Sequence, residues 1–71
     1  MLKLKLLRIV GELTLDQTAK GCGLHASDVC RYEKGQMRPY PLHAKRLESY
    51  FGRPITELLT EVNVEEVWKE I

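Results

Sequence analysis

The sequence contains few of the residues that characterise secreted or membrane proteins. It has two cysteines in 71 residues and no secretory features, so we expect reduced thiols and a cytoplasmic location. Its longest apolar run is too short to span a membrane, and we expect no membrane partner. Residues 1–5 have lysines among the leucines and no small-residue cleavage site after them, so we do not interpret them as a signal peptide.

The sequence also has too little length and too few reactive groupings for an enzyme. Seventy-one residues predict a single domain over 1–71, near the size at which one core is only marginally stabilising, with no room for a ligand-sensing domain. Paired carboxylates, a nucleophile–base pair and a phosphate-binding glycine loop are all missing. We therefore expect no catalytic activity, no cofactor and no small-molecule ligand. Hydrophobic residues at 44% and charged residues at 30% indicate a folded globular chain.

The net charge of +1 conceals a division of the chain. Residues 1–46 contain nine Lys and Arg against four Asp and Glu, and residues 47–71 contain two against six. A basic front and an acidic back predict that a polyanion approaches one face only. The overall pI of 7.8 is too low to indicate such binding by itself.

Capping residues and apolar spacing predict an all-α fold. Thr14 is a good N-cap, Pro41 suits a first helical position, and Gly23 suits a positive φ at a turn between helices. Gly35 is placed to end a helix, whereas Gly21 lies inside one and weakens it by about 0.5–1 kcal/mol. The predicted helices cover residues 3–10, 15–21, 26–34, 41–51 and 55–60.

The stretch 19–35 contains the most informative pattern in the chain. It predicts the end of one helix, a glycine turn and a second helix whose inward side collects Val29, Tyr32 and Glu33. The opposite side carries a row of polar and basic residues, Ser27, Arg31 and Lys34. Such a helix suits the major groove of DNA, although an ordinary amphipathic surface helix has the same pattern.

Residues 4–59 resemble the Cro/lambda-repressor-like helix-turn-helix family of Xre-type regulators. The resemblance is carried by Leu13, Thr14, Ala19, Gly23, Leu24, Val29, the string Arg31-Tyr32-Glu33-Lys34-Gly35, Pro39, Leu47, Phe51, Gly52 and Leu58. It implies a five-helix DNA-binding domain with a helix-turn-helix over about 15–34. It also implies a transcriptional regulator, most simply a repressor or autoregulator, that binds double-stranded DNA as a homodimer on a palindromic operator. A protein–protein adaptor on the same fold is the alternative.

The resemblance places Ala26, Ser27, Asp28 and Arg31 at the positions that reach base edges. Arg31 suits a bidentate contact with guanine, Ala26 offers a methyl surface to thymine, and Ser27 is less selective. Asp28 has two interpretations, an acceptor for cytosine or a carboxylate that stabilises the N-terminus of its own helix.

A second set of residues is predicted to contact DNA phosphates. The loop that follows the recognition helix is basic and polar, which suits backbone contacts. The predicted phosphate contacts are Thr14, Gln17, Lys34, Gln36, Arg38 and Tyr40. Leu15 stands where the family commonly has a glutamine that touches phosphate, so that contact is in doubt and Gln17 is the candidate replacement. The alternative interpretation of this loop is an ordinary basic segment exposed to solvent.

Arg8 and Glu33 are predicted to form a structural ion pair. Glu33 projects to the inward side of its helix, where an unpaired carboxylate is costly, and Arg8 lies next to the apolar stripe of the first helix. The resemblance places a comparable Arg–Glu pair there.

Cysteine and histidine spacing raises a metal hypothesis that we do not adopt. The candidate zinc ligands are Cys22, His25, Cys30 and His43. Cys22 falls on the apolar side of its helix and is better interpreted as a small buried hydrophobe. A redox role for Cys30 is a minor alternative. His25 has three interpretations: the N-cap of the recognition helix, a phosphate contact, or a buried side chain that fills space in the core.

The C-terminal extension, about 62–71, predicts a further interaction. Asn63 begins a capping-box pattern, and the apolar residues that follow are spaced for a short sixth helix, with a brief strand over 62–64 as the weaker alternative. The apolar residues of this extension have two candidate binding partners: the unpaired apolar side of the first helix in the same subunit, or a second copy of the chain. We expect a homodimer whose interface contains Leu58, Leu59, Val64, Val67, Trp68 and Ile71.

Overall fold

The computed structural model describes residues 1–63, which form five helices joined by short turns. The helices are α1 Lys3–Val10, α2 Leu15–Cys22, α3 Ala26–Glu33, α4 Pro41–Phe51 and α5 Ile55–Leu58. The predicted all-α class is therefore confirmed. None of the helices within 1–63 is long and apolar enough to cross a bilayer. The predicted sixth helix, over residues that follow Asn63, lies outside the described residues. Of the alternative strand over 62–64, Val64 also lies outside them, and residues 62 and 63 belong to no strand.

The helix starts follow from the capping chemistry of the sequence. Thr14 and Gln17 form a capping box in which the Thr14 hydroxyl accepts a hydrogen bond from the Gln17 amide at 3.1 Å and Gln17 Oε1 accepts one from the Thr14 amide at 2.9 Å. Pro41 begins α4 at a position where its missing N–H costs no helical hydrogen bond. Both starts agree with the predictions.

The ends of α2 and α3 are closed by glycines in the left-handed conformation. Gly23 has φ 70°, and the amide of Leu24 donates back to the Ala19 carbonyl at 2.8 Å, which is a Schellman closure. Gly35 also has φ 70° and closes α3 in the same way. The helix ends differ slightly from the predicted ones: α2 continues to Cys22, and α3 stops at Glu33.

A non-glycine residue occupies the equivalent position after α1. Glu12 has φ 57°, with its amide bonded to the Ile9 carbonyl at 2.9 Å and the Leu13 amide bonded to the Arg8 carbonyl at 3.0 Å. These bonds repeat the Schellman pattern on a residue with a Cβ, for which the left-handed conformation is unfavourable. No residue type in the sequence indicates this turn.

The core takes one buried side chain from each helix. Leu4, Cys22, Tyr32, Leu47 and Leu58 form a single cluster and are all at most 5% exposed. Cys22 is thus the small buried hydrophobe that the sequence predicts. Burial in this cluster raises the pKa of its thiol.

Two predictions for the last helix are wrong. α5 ends at Leu58 instead of Thr60, because the chain turns there and the Thr60 amide bonds to the Glu57 carbonyl three residues back. Leu58 is fully buried in the core of its own subunit, so it has no surface to offer to a dimer interface. Leu59, the next residue, is half-buried at the surface and retains such a surface.

The segment after α5 pairs with the start of the chain. Leu2 and Glu61 form an isolated antiparallel bridge, the Lys3 amide donates to the Thr60 carbonyl, and the Val62 amide donates to the Met1 carbonyl, both at 2.9 Å. This pairing places residues 60–62 beside the N-terminal end of α1.

Candidate nucleic-acid interface

α2, the turn at Gly23 and α3 form the helix–turn–helix that the sequence predicts. The inward side of α3 is buried, with Val29 and Tyr32 fully inaccessible and Glu33 6% exposed. Arg46 of α4 stabilises the turn, because its Nη1 donates to the Gly23 carbonyl at 2.9 Å. This contact joins residues far apart along the chain, so no local pattern predicts it.

An ion pair fixes α3 to α1 at the predicted place. Arg8 Nε donates to Glu33 Oε2 at 2.6 Å and Arg8 Nη2 to Glu33 Oε1 at 3.2 Å, so the guanidinium and carboxylate meet side by side. The Glu33 side chain is 4% exposed and that of Arg8 13%. Arg8 Nη1 also donates to the Leu13 carbonyl at 2.8 Å and thereby holds the turn before α2.

A second polar contact joins α3 to α4 and was missed in the sequence. The Tyr32 hydroxyl is hydrogen-bonded to His43 Nδ1 at 2.7 Å. The rings of Tyr40 and His43 are nearly perpendicular to each other, with their centroids 5.6 Å apart. Burial raises the pKa of the Tyr32 hydroxyl, which therefore stays protonated over the neutral range. The two contacts of α3, through Glu33 and Tyr32, orient its outer face.

The outer face of α3 carries the predicted base-contact residues. Ser27 and Arg31 are exposed, whereas Ala26 and Asp28 are half-buried. Arg31 Nη1 lies 3.4 Å from Asp28 Oδ1, and the Arg31 side chain remains 53% exposed. Asp28 also belongs to the first turn of α3, where a negative charge is favourable. Ala26, Ser27 and Asp28 lie in the first turn of α3, and Arg31 lies in its last turn, three residues after the Asp28 carboxylate that it contacts.

The predicted phosphate-contact residues are all exposed, and they precede or follow α3 in the chain. They are Thr14, Gln17, Lys34, Gln36, Arg38 and Tyr40. Within the capping box, Thr14 Oγ1 and the side-chain oxygen of Gln17 act as acceptors. The hydroxyl hydrogen of Thr14 and the side-chain NH2 group of Gln17 therefore remain available as donors. Tyr40 is 59% exposed and immediately precedes the N-terminus of α4.

His25 occupies the N-cap position of α3. Its side chain makes no capping hydrogen bond and the residue is exposed, which removes the buried-filler interpretation. Over residues 1–63 no three His, Cys, Asp or Glu side chains are grouped so that they could hold a metal ion.

The sequence of the chain is similar to that of a phage repressor. The chain is 32% identical over 69 residues to the cryptic phage CTXphi transcriptional repressor RstR of Vibrio cholerae. The alignment covers 94% of this chain and 62% of the relative, so the chain spans less than two-thirds of that protein's length. No family model and no solved structure matches the chain.

Proposed function

We propose that this chain is a sequence-specific DNA-binding transcriptional repressor of the Cro/lambda-like type. The observation that carries the proposal is the outer face of α3, where Ser27, Arg31 and Lys34 are exposed opposite a fully buried inner side. A rigidly seated helix with polar and basic groups on its free side matches the shape and donor requirements of a major groove. The similarity to a phage transcriptional repressor supports the same function.

The base contacts are assigned to Ala26, Ser27, Asp28 and Arg31. Arg31 has the exposure needed to reach guanine O6 and N7 with two donors, which is the most discriminating contact available to this face. Asp28 accepts from Arg31 in the free protein, so we assign it mainly to its own helix and to the guanidinium beside it.

The phosphate contacts are assigned to the six exposed residues that flank α3, Thr14, Gln17, Lys34, Gln36, Arg38 and Tyr40. Contacts of this kind fix the orientation of a protein on the duplex without reading sequence. They also predict a strong dependence of affinity on salt concentration, because each neutralised phosphate releases counterions.

A homodimer on a palindromic operator completes the proposal. α3 has eight residues and a length of about 12 Å, so one copy reads only a few base pairs. Two copies related by a two-fold axis place their recognition helices about 34 Å apart, one turn of DNA. We assign the interface to Leu59 and to Val64, Val67, Trp68 and Ile71, the last four lying outside the described residues.

Selection from a random duplex library tests the function directly. The protein should enrich one sequence with two inverted half-sites about 10 base pairs apart. Fluorescence anisotropy on that duplex and on a scrambled one, repeated at several salt concentrations, then separates specific from non-specific affinity. Failure to enrich any duplex at low salt would contradict the proposal and favour the protein–protein adaptor.

A further inference from the structure

His43 of α4 lies between the helix that we assign to base contacts and the loop that we assign to phosphate contacts. Its Nδ1 is 2.7 Å from the hydroxyl of Tyr32, which belongs to the inner side of α3. Its ring is nearly perpendicular to that of Tyr40, the last residue of the loop between α3 and α4, with the centroids 5.6 Å apart. One half-buried imidazole therefore contacts both elements at the same time.

The contact with Tyr32 bears on the position of the recognition helix. Tyr32 is fully buried, so its hydroxyl cannot exchange this partner for water unless the core opens. Burial and the Asp28 carboxylate raise the pKa of this hydroxyl, and the Arg31 guanidinium lowers it. The hydroxyl thus lies within electrostatic range of the outer ion pair of α3. A shift of Tyr32 against His43 would therefore move the residues that are assigned to bases.

The contact with Tyr40 bears on the loop. Tyr40 is the N-cap of α4 and is 59% exposed, so its hydroxyl can reach a phosphate while one part of its ring stays against the imidazole. Perpendicular aromatic pairs attract because the positive edge of one ring meets the negative face of the other. Without the imidazole, the Tyr40 side chain would have more rotamers to lose when it binds DNA.

We propose that His43 is a positioning residue that couples the base contacts to the phosphate contacts, an inference that rests on the function proposed above. Through Tyr32 it holds α3 in the orientation in which Arg31 meets a base. Through Tyr40 it holds the loop against the backbone of the same duplex. The two contacts have different consequences, because base contacts discriminate among sequences and phosphate contacts do not.

Two substitutions of His43 separate the two contacts. An asparagine amide stands near the position of Nδ1 and can donate or accept, so His43→Asn retains a hydrogen bond to Tyr32 but loses the ring. His43→Phe retains a ring beside Tyr40 but loses the hydrogen bond. The quantities to measure are the affinity for a scrambled duplex and the ratio of operator affinity to scrambled affinity, both well below the temperature of unfolding.

The two variants should fail in opposite ways. We expect His43→Phe to lower the affinity ratio about fivefold and to leave the affinity for the scrambled duplex unchanged. We expect His43→Asn to keep the ratio and to weaken binding to both duplexes about threefold, because the loss is confined to a phosphate contact. The reverse pattern, or the same change in both variants, would overturn the proposal.

Tyr32→Phe tests the hydrogen bond from its other end, and it does so even if His43→Phe folds poorly. It removes one oxygen and should lower the affinity ratio by the same factor as His43→Phe. The double variant should lose no more than either single variant, because the second substitution removes a bond that is already broken. Losses that add would overturn the coupling through this bond.

Glu48→Ala is the matched control on the same helix. Glu48 Oε2 accepts a hydrogen bond from the Ile55 amide at 2.7 Å, so this half-buried side chain joins α4 to α5 as His43 joins α4 to α3. Its loss should lower the midpoint of thermal unfolding and leave the affinity ratio unchanged. A ratio that fell equally in Glu48→Ala and in His43→Phe would overturn the specific role of His43.

The same titrations distinguish failure of this inference from failure of the proposed function. A parent protein that binds no duplex would overturn the proposed function and the role of His43 together. A parent protein that discriminates between the two duplexes, with every variant discriminating equally well, would overturn the role of His43 alone.

Discussion

The guanidinium of Arg8 and the carboxylate of Glu33 meet through two hydrogen bonds, of 2.6 and 3.2 Å, and join the first helix to the helix that we assign to DNA. The same guanidinium reaches the Leu13 carbonyl. One side chain thus ties together α1, the turn before α2, and α3. Because the Glu33 side chain is almost fully buried, loss of either partner leaves a charge that water cannot solvate well.

We expect Glu33→Gln to lower the free energy of unfolding by about 3 kcal/mol, at the low end of the range for a broken buried pair, because Arg8 keeps some exposure. For a domain of this size the midpoint of thermal unfolding falls by roughly 12–24 °C. Urea denaturation followed by circular dichroism measures the change. Asp16→Asn, at an exposed site in the first turn of α2, is the control and should cost about 0.5 kcal/mol. Equal losses in the two variants would contradict the role of the pair.

Arg31 and Arg38 should fail in different ways when they are replaced by alanine. Arg31→Ala should lose about 1–3 kcal/mol on the selected operator and relax the preference at one base pair in each half-site. Arg38→Ala should weaken all duplexes alike and reduce the salt slope by about one. Anisotropy titrations on matched and mismatched duplexes separate the two effects.

Arg53→Ala is the control for these titrations. Arg53 is comparably exposed, but it pairs with Glu57 at α5, away from the proposed interface. It should leave both the affinity and the salt slope unchanged. If Arg31→Ala and Arg38→Ala lowered specific and non-specific binding equally, the assignment of α3 to the groove would be wrong.

Glu12→Gly should make the protein more stable. Glu12 holds a left-handed conformation that costs an L-residue about 1–2 kcal/mol, whereas glycine adopts it freely but loses more entropy on folding. The net gain in the free energy of unfolding should be about 0.5 kcal/mol. Gly23→Ala, at the equivalent position after α2, should lose about 1–2 kcal/mol for the opposite reason. A loss of stability in Glu12→Gly would show that the Glu12 side chain itself stabilises the turn.

These two positions show why the helix boundaries were only partly predictable. Some helix boundaries depend only on interactions within a few residues, as at Thr14, Gly23, Gly35 and Pro41. These boundaries can be predicted from the sequence, and the structure agrees with them. Glu12 has the same backbone conformation as Gly23 but no residue type that indicates it.

Contacts between distant residues account for most of what was missed. The bridge of Leu2 with Glu61 and the hydrogen bond of Tyr32 with His43 join segments whose approach depends on the complete fold. Arg8 and Glu33 are also distant, but the inward position of a carboxylate demanded a cation and made that pair predictable. Leu58 was misplaced because four residues of α5 are too few for periodicity to separate an inward side from an outward one.

The sequence predicts that Gly21 destabilises its helix, but it does not predict why a glycine is needed at this position. A Cβ built at this position would lie 2.3 Å from Cε1 of Tyr50, so the Tyr50 ring covers the space that a side chain would fill. The glycine weakens α2 as a helix but admits the close packing of α2 on α4. Helix propensity is visible in the sequence, and the aromatic ring that offsets it is not.

The two thiols should react at very different rates. Burial raises the pKa of the Cys22 thiol, so less thiolate forms at any given pH, and access to it requires opening of the core. Iodoacetamide at pH 8 should therefore modify the half-buried Cys30 first, as mass spectrometry of the peptides would detect. In 6–8 M urea the two rates should converge. Preferential modification of Cys22 in the folded protein would contradict its place in the core.

The raised pKa of the Cys22 thiol also predicts that the free energy of unfolding falls as pH rises above the ordinary range of a thiol pKa. The reason is that the unfolded chain then releases the thiol proton more readily than the folded chain.

Trp68→Ala should convert the protein to a monomer that keeps its fold. Trp68 is the largest apolar residue assigned to the interface, and truncation of a central tryptophan weakens an interface by about 2 kcal/mol or more, roughly 30-fold in the dissociation constant. The core cluster has its five buried side chains within residues 1–58, so the midpoint of thermal unfolding should change by only a few degrees. Operator affinity should fall towards that of a half-site, because the second recognition helix no longer arrives with the first. Sedimentation equilibrium and a thermal melt measure the two quantities side by side, and Leu42→Ala, at an exposed apolar residue of α4, should change neither. A variant that remains dimeric but melts far below the parent would place Trp68 in the stability of its own subunit and refute its role between subunits.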